Sequence, residues 1–355
     1  TITGLAPNSC YDVYVNDPCG NSWVGPISFT TDCLSQLSGT YTVGGPAGPN
    51  NFATLDSAIA ELNGCGINGP VVFDLAPGTY NTSINLIPID GSSATNTVTF
   101  RGAGATQDTI DGNGQPAALQ LFGTENVIFK HLTFANLTSG WGVLLSGGTR
   151  NVLIDSCIIA VNPTTTSSAD NGIVASSSTT SAFGYDLNAY DVTISNSTIS
   201  GGYYGARING ASSTSRIHGF SFINNDFVDQ YYYGMFLYYV DSLTVHNNTV
   251  TGSSARYGLY MYYPNHIDIQ GNWFATSTYG MYASQTNTRV TPSVQNKVVN
   301  NMIDGGTYGI YFSTADSLDI FHNTIRGGTR GMYLIGTHRG HDVRNNIFVS
   351  TGSSE

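Results

Sequence analysis

Val245-His246-Asn247-Asn248-Thr249-Val250 and Ile320-Phe321-His322-Asn323-Thr324-Ile325 share one pattern: an apolar strand end, a turn carrying Asn, and a second short strand. Aligning the chain on that turn gives Asn196, Asn225, Asn248, Asn272, Asn301, Asn323 and Asn346, at steps of 29, 23, 24, 29, 22 and 23 residues. A second register runs through Gly142, Gly172, Gly205, Gly234, Gly258, Gly280, Gly309 and Gly331, each followed by alternating apolar residues. Two registers with one period mean one coil per repeat. Each coil holds short period-2 strands and has no room for a helix, which excludes leucine-rich and helical repeats. Stacked coils make parallel sheets. The class is therefore all-β, a parallel β-helix solenoid whose turn asparagines are expected to occupy one column and bond to each other up the stack.

Upstream of the coils, Phe52, Leu55, Ile59 and Leu62 fall on one face at helical spacing, with Thr54 as N-cap and Gly64 as stop. The spacing predicts one short amphipathic capping helix, laid where it covers the open end of the solenoid and blocks edge-to-edge pairing. Val71-Val72-Phe73-Asp74-Leu75 and a Pro77-Gly78 turn follow, then short strands near 84–89, 97–101 and 118–122. The first 33 residues read differently. Leu5-Ala6-Pro7-Asn8-Ser9-Cys10-Tyr11 runs into Asp12-Val13-Tyr14-Val15, which places Tyr11 as in a tyrosine corner, and Trp23 to Thr31 makes a last strand. These residues resemble the last third of a fibronectin type III domain, which implies a spacer module. The expected limits are 1–34 for this partial β-sandwich and 35–355 for the β-helix, with a capping segment at 38–80 and coils over 81–350.

Gly39-Thr40-Tyr41-Thr42-Val43, then Phe52-Ala53-Thr54-Leu55, then Gly69-Pro70-Val71-Val72-Phe73-Asp74-Leu75-Ala76-Pro77-Gly78-Thr79-Tyr80 look like a capping start, and the coils follow in phase. Over residues 38–350 the chain resembles the pectin lyase-like right-handed β-helix superfamily, in particular the repeat proteins secreted by Bacteroidota. The resemblance implies a right-handed winding and a substrate groove floored by the Gly-led sheet. That superfamily includes pectate lyases, polygalacturonases, alginate lyases, epimerases, tailspikes and adhesins, so fold does not choose an activity.

Within the Gly-led strands, residues one and three places beyond Gly are expected in the core. The place two beyond Gly faces out and reads Leu144, Val174, Arg207, Phe236, Tyr260, Tyr282, Tyr311, Tyr333. Five successive coils thus present a ring at one lateral position, a stripe about 20 Å long at a sheet spacing of about 4.8 Å. Tyr238 and Tyr262 widen it, and Tyr204, Tyr233, Tyr257, Tyr279 and Tyr308 form a column just before Gly that is expected to tuck under the turn. Tyr rings offer apolar faces and hydroxyls, which suits sugar rings. Identical side chains also stack in solenoids without any ligand.

Insertions at 160–170, 176–190, 210–217 and 284–296 are expected to wall a groove around Asp170, Asn171, Arg207 and Asn209. Ala169-Asp170-Asn171-Gly172-Ile173 resembles the acid-before-glycine position of polygalacturonases. The next coil, however, offers Tyr203-Tyr204 in place of paired aspartates, and no Gly-His-Gly or Arg-x-Lys follows. Asp170 and Arg207 are the catalytic candidates of an alternative reading as a polysaccharide lyase or glycoside hydrolase, in which Ca²⁺ could hold an enolate-like intermediate. Asn171 and Asn209 join the stripe residues as substrate-binding candidates. No metal ligand set is assigned, since His338-Arg339-Gly340-His341 lacks in-phase acidic partners. Asp241-Ser242-Leu243 and Asp316-Ser317-Leu318 resemble a short O-glycosylation signal of Bacteroidota, and turn geometry explains them equally well.

Only 10% of residues are charged and the net charge is −11, which disfavours nucleic acid and anionic lipid as partners. No apolar run reaches the length of about 18 residues that a membrane span needs. Cysteines at 10, 19, 33 and 65 suit disulfides in an oxidising compartment, with Cys10–Cys19 and Cys33–Cys65 as the expected pairs, and Cys157 is expected as a buried thiol. The chain opens mid-module and its last coil has no polar cap, so further chain, with other modules, is expected at both ends. The expected function is a carbohydrate-binding or adhesive β-helix region of a large secreted or cell-surface protein, with a polysaccharide or surface glycan as partner. No cofactor is assigned beyond the Ca²⁺ of the lyase alternative.

Overall fold

The computed structural model describes residues 10–17, 22–30, 33, 35–106, 108–112, 114–252, 254–286 and 296–352. Residues Cys10–Asp17 and Ser22–Thr30 pair antiparallel in a two-stranded sheet of their own. The rest is a parallel β-solenoid of about 11 turns. Each full coil contributes one strand to each of three long parallel sheets. In the coil from Tyr233, for example, Tyr233–Tyr238 belongs to the Gly-led sheet, Val240–His246 to a second sheet and Thr249–Thr251 to a third.

The helix spans Leu55–Cys65, with Thr54 Oγ1 accepting from Ser57 N at 3.2 Å. It buries Leu55, Ala58, Ile59, Leu62 and Cys65 against the first coils. Its stop lies two residues later than expected, at Gly66, where φ is 65° and an added Cβ would sit 2.4 Å from Asp90 O. Phe52 stands outside the helix, in the short strand Asn51–Phe52, and packs on Tyr41 and Phe73. Running on to residue 65 brings Cys65 to Cys33, with a Cα separation of 5.4 Å and an S–S bond. The pairing Cys10–Cys19 rests on Cys19, which lies outside the described residues.

The core is continuous along the solenoid axis. Val143, Leu145, Ile173, Ala175, Ala206, Ile208, Met235, Leu237, Leu259, Met261, Met281, Ala283, Ile310 and Phe312 are all buried, while Met332 and Leu334 in the last coil are half-buried. The Gly-led register is steric. A Cβ on Gly258 would lie 2.5 Å from Gly280 O and 3.0 Å from Phe274 Cβ, because the corner strand runs hard against the third sheet.

Asn225, Asn248, Asn272, Asn301, Asn323 and Asn346 stack in one column between the second and third sheets. Each Nδ2 donates to the next Oδ1 at 2.9–3.0 Å, and each backbone N–H donates to the same oxygen. Asn196 is not in this column. It lies in the neighbouring one with Asn224 and Asn247, all with φ of 50–56°, and Asn224 Nδ2 donates to its Oδ1. Ser197 and Cys157 hold the column's earlier places: Ser197 N donates to Asn225 Oδ1 at 3.0 Å, and Cys157 N donates to Ser197 Oγ at 3.0 Å. Burial pushes the Cys157 thiol up to about 12.

Candidate functional site

The register of the Gly-led sheet places Leu144, Val174, Arg207, Phe236, Tyr260, Tyr282, Tyr311 and Tyr333 in one outward column, each paired with the next. That column has two parts of different character.

The first part is roofed. Leu144 and Val174 are fully buried with Ala117, Trp141 and Ala182 in a second apolar cluster outside the solenoid core. Ala182 comes from the insertion after Ser176, which folds back over the sheet and is tied down by Ser176 Oγ, a donor to Ser181 O at 2.6 Å and an acceptor from Gly184 N at 3.0 Å. Arg207 is enclosed by the same loop, at 2% exposure. Its Nε donates to Ala182 O at 2.9 Å, and its guanidinium lies 4.1 Å from the Phe183 ring centroid and 4.4 Å from that of Phe236. Burial pulls its pKa below the usual arginine value.

This arrangement corrects the expected open cleft. Asp170 is 5% exposed and its carboxylate is spent on structure, accepting from Gly140 N at 2.9 Å and Thr165 Oγ1 at 2.5 Å. Among the described residues no ion pair joins it to Arg207. Asn171 and Asn209 are fully buried, with Asn171 Nδ2 donating to Ser168 O and Asn209 Nδ2 to Ala175 O and Ala182 O. The physical reason is apolar: a sheet face carrying Leu144, Val174 and Trp141 gains more from being covered than from lining water. The 210–217 insertion does not wall this face either. It turns over the second sheet, where Ile217 pairs with Val240. The insertion after residue 284 falls largely on 287–295, outside the described residues.

The second part is open and aromatic. Phe236, Tyr260, Tyr282 and Tyr311 stack nearly parallel, with centroid spacings of 4.9, 4.6 and 5.0 Å, and Tyr333 meets Tyr311 at 5.3 Å, tilted to 67°. All five are half-buried. The column before Gly does not tuck under the turn. Tyr204, Tyr233, Tyr257, Tyr279 and Tyr308 stack alongside at 4.8–5.3 Å, and only the first of them is buried. The two columns mesh edge to face, as in Tyr257–Tyr260 at 5.3 Å and 83° and Tyr308–Tyr311 at 5.5 Å and 77°, the geometry favoured by the ring quadrupole.

On the far flank Tyr238 stacks on Tyr262 at 5.6 Å, and Tyr239 on Tyr263 at 4.6 Å. Burial first, and neighbouring tyrosines second, push the phenols of Tyr238 and Tyr257 up to about 12 and raise Tyr233 and Tyr260 further. The hydroxyls therefore stay protonated and able to donate.

Several members of this face were not singled out from sequence. Tyr203 stacks on Tyr232 at 5.2 Å, and Tyr185, exposed on the roofing loop, stands 5.3 Å from Tyr238. Arg256 lies over Tyr232 and Arg330 over Tyr333, at 4.8 and 4.2 Å. The run Tyr231-Tyr232-Tyr233 was the available signal. His338 and His341 face one another at 3.2 Å in the last coil. Among the described residues no group of three or more His, Cys, Asp or Glu side chains converges in a way that could hold a metal ion.

Three long parallel sheets and a first coil covered by a short helix define a parallel β-solenoid. The model of the right-handed β-helix region matches residues 141–306 and 185–348, together more than half of the chain, and the chain belongs to that family. No curated protein matches by sequence. Among solved structures, the A-module of a mannuronan C-5 epimerase of Azotobacter vinelandii superposes with a TM-score of 0.54, at 18% identity, over 85% of this chain and 82% of that one. A surface adhesin of Streptococcus pneumoniae gives 0.49 at 16% identity, over 81% and 79%. A pectate lyase gives 0.41 at 10% identity, over 88% and 80%. These likenesses are of fold.

Proposed function

We propose that this chain is a carbohydrate-binding, adhesive solenoid that holds a polysaccharide or surface glycan along the open part of the Gly-led sheet. The observation that carries it is the two-column array from Tyr233 to Tyr333, half-exposed and edged with protonated hydroxyls. Because each ring's faces are taken up by its neighbours in the stack, a glycan meets the exposed ring edges and hydroxyls, resting apolar C–H groups on the edges and hydrogen-bonding to the phenols. Phe236, Tyr238, Tyr260, Tyr262, Tyr282, Tyr311 and Tyr333 are the binding residues. The enzymatic alternative has lost support, since Asp170, Arg207, Asn171 and Asn209 are enclosed and engaged in holding the roofing loop and its neighbour.

A secreted or cell-surface setting fits the Cys33–Cys65 disulfide. Among the described residues no helix is long and apolar enough to cross a membrane. The test is a panel of soluble polysaccharides, read for binding and for release of reducing or unsaturated ends. Binding without release supports the proposal. Release that survives in the Tyr260→Ala and Tyr311→Ala variants overturns it.

A further inference from the structure

A second polar site lies around the corner from the aromatic face, on the second sheet. The 210–217 insertion stands over a pocket of about 530 Å³ whose lining includes Arg216, His218, Asp241 and His266. Arg216 is the centre of it. Its Nη1 donates to Tyr263 O, its Nε donates to Ser213 O at 3.2 Å, and its guanidinium lies 5.4 Å from the Tyr239 ring. Three contacts thus fix the plane of the fork, and among the described residues Nη2 has no hydrogen-bond partner and no carboxylate lies within ion-pair distance of the cation, Asp241 of the same pocket acting on it only through its field.

His218 is exposed beside it, its ring stacked on Tyr190 at 5.3 Å. Hydroxyls of Ser213, Thr214 and Ser242 complete the rim. The one carboxylate present is engaged: Asp241 Oδ1 meets His266 Nδ1 at 2.6 Å and Ser242 Oγ at 3.0 Å, and Oδ2 accepts from Asn265 Nδ2 at 2.8 Å.

An orientated but unpaired guanidinium, with an imidazole and hydroxyls around an open pocket, is the donor set that oxyanions require. We propose that this pocket binds an oxyanion substituent, a sulfate ester, phosphate ester or carboxylate carried by a glycan. Arg216 touches Tyr239 and Tyr263, the outer rank of the aromatic face, so one polymer can lie on the tyrosines and place its acidic group against the guanidinium. The site therefore selects acidic over neutral chains. Its small-ion test is separate from the aromatic face.

The experiment titrates the folded chain with sodium sulfate and sodium phosphate at fixed ionic strength against chloride, following the ring signals of His218 and His266 by NMR. Dextran, dextran sulfate and carboxymethyl dextran are then compared by calorimetry. Saturable shifts of both rings by sulfate or phosphate are expected, with at least tenfold weaker binding in Arg216→Gln. Asp241→Asn, which removes the opposing charge, is expected to bind more tightly, and His218→Ala to weaken binding without altering melting temperature. Dextran sulfate binding better than carboxymethyl dextran assigns an ester, and the reverse assigns a carboxylate. Sulfate shifts equal to those of chloride, or Arg216→Gln binding as wild type with an unchanged melting temperature, overturn the proposal. Ion binding that persists while no neutral glycan binds the tyrosines leaves this site standing and removes the function proposed for the aromatic face.

Discussion

The asparagine ladder and the tyrosine columns are both made by repeating one side chain every coil, yet they sit in opposite environments. From Asn225 to Asn323 each ladder amide is buried and its nitrogen is saturated, and Asn346 in the last coil is half-buried. Asn272 Nδ2, for instance, donates to Val245 O, Gln270 O and Asn301 Oδ1, while its Oδ1 accepts from Asn248 N and Nδ2. The tyrosines from Tyr233 onward are half-buried, with ring faces in contact and one flank in water. A repeat that fully consumes its own chemistry serves the fold, whereas one that leaves chemistry facing solvent has something left for a ligand.

The largest expected effect breaks the first ladder. Asn272→Ala leaves the buried Asn248 N–H without its acceptor and takes a donor from Val245 O and Gln270 O, while Asn248 Nδ2 keeps Phe222 O and His246 O; at about 1–3 kcal/mol per unsatisfied group the expected loss is about 3 kcal/mol. Chemical denaturation measures it. Glycan affinity of the protein that remains folded should be unchanged.

Next comes the boundary between roofed and open sheet. Arg207→Ala removes the guanidinium sandwiched between Phe183 and Phe236 and is expected to cost about 2–3 kcal/mol through the cavity it leaves. Arg207→Met fills that space without a buried charge and should be nearly neutral or stabilising. A loss in Arg207→Met as large as that in Arg207→Ala would show that charge, not packing, holds the loop.

Much of this was legible in the sequence, for reasons specific to solenoids. Stacked coils must align, so the spacing of Asn248, Asn272, Asn301 and Asn323 and of the Gly column carries three-dimensional register directly. The slip at Asn196 arose because two adjacent columns both use Asn, as in Asn224-Asn225 and Asn247-Asn248, and a lone Asn fits either. The roofing loop was harder, since insertion length does not encode direction. Leu144 and Val174 at outward positions, with Ala182-Phe183 inside the insertion, were nonetheless a sign that the face needed cover.

A smaller effect separates the two ladders by pH. The phenols of Tyr238 and Tyr257, near 12 in the folded chain, ionise near 10 when unfolded. A folded value above the unfolded one means that their contribution is fully present below about pH 10 and is lost as pH rises from there through about 12. The melting temperature should fall over that window, and phenolate absorbance should show a late-titrating class of tyrosines. The asparagines do not titrate and give no such dependence. Smallest of all is salt: because the ring contacts are neutral, affinity for an uncharged glycan should change little between low and high ionic strength.

Tyr282 sits at the centre of the face, stacked on Tyr260 and Tyr311, and tests the binding claim most directly. Melting temperature and affinity for the best uncharged polysaccharide of the panel are measured on Tyr282→Phe and Tyr282→Ala together. Tyr282→Phe should keep the melting temperature and most of the affinity. Tyr282→Ala should lose about 1–2 kcal/mol of stability from ring packing and, in the folded protein, bind several-fold more weakly without losing binding altogether. Lowered stability with unchanged affinity in Tyr282→Ala would contradict the claim and leave the tyrosines as a structural ladder.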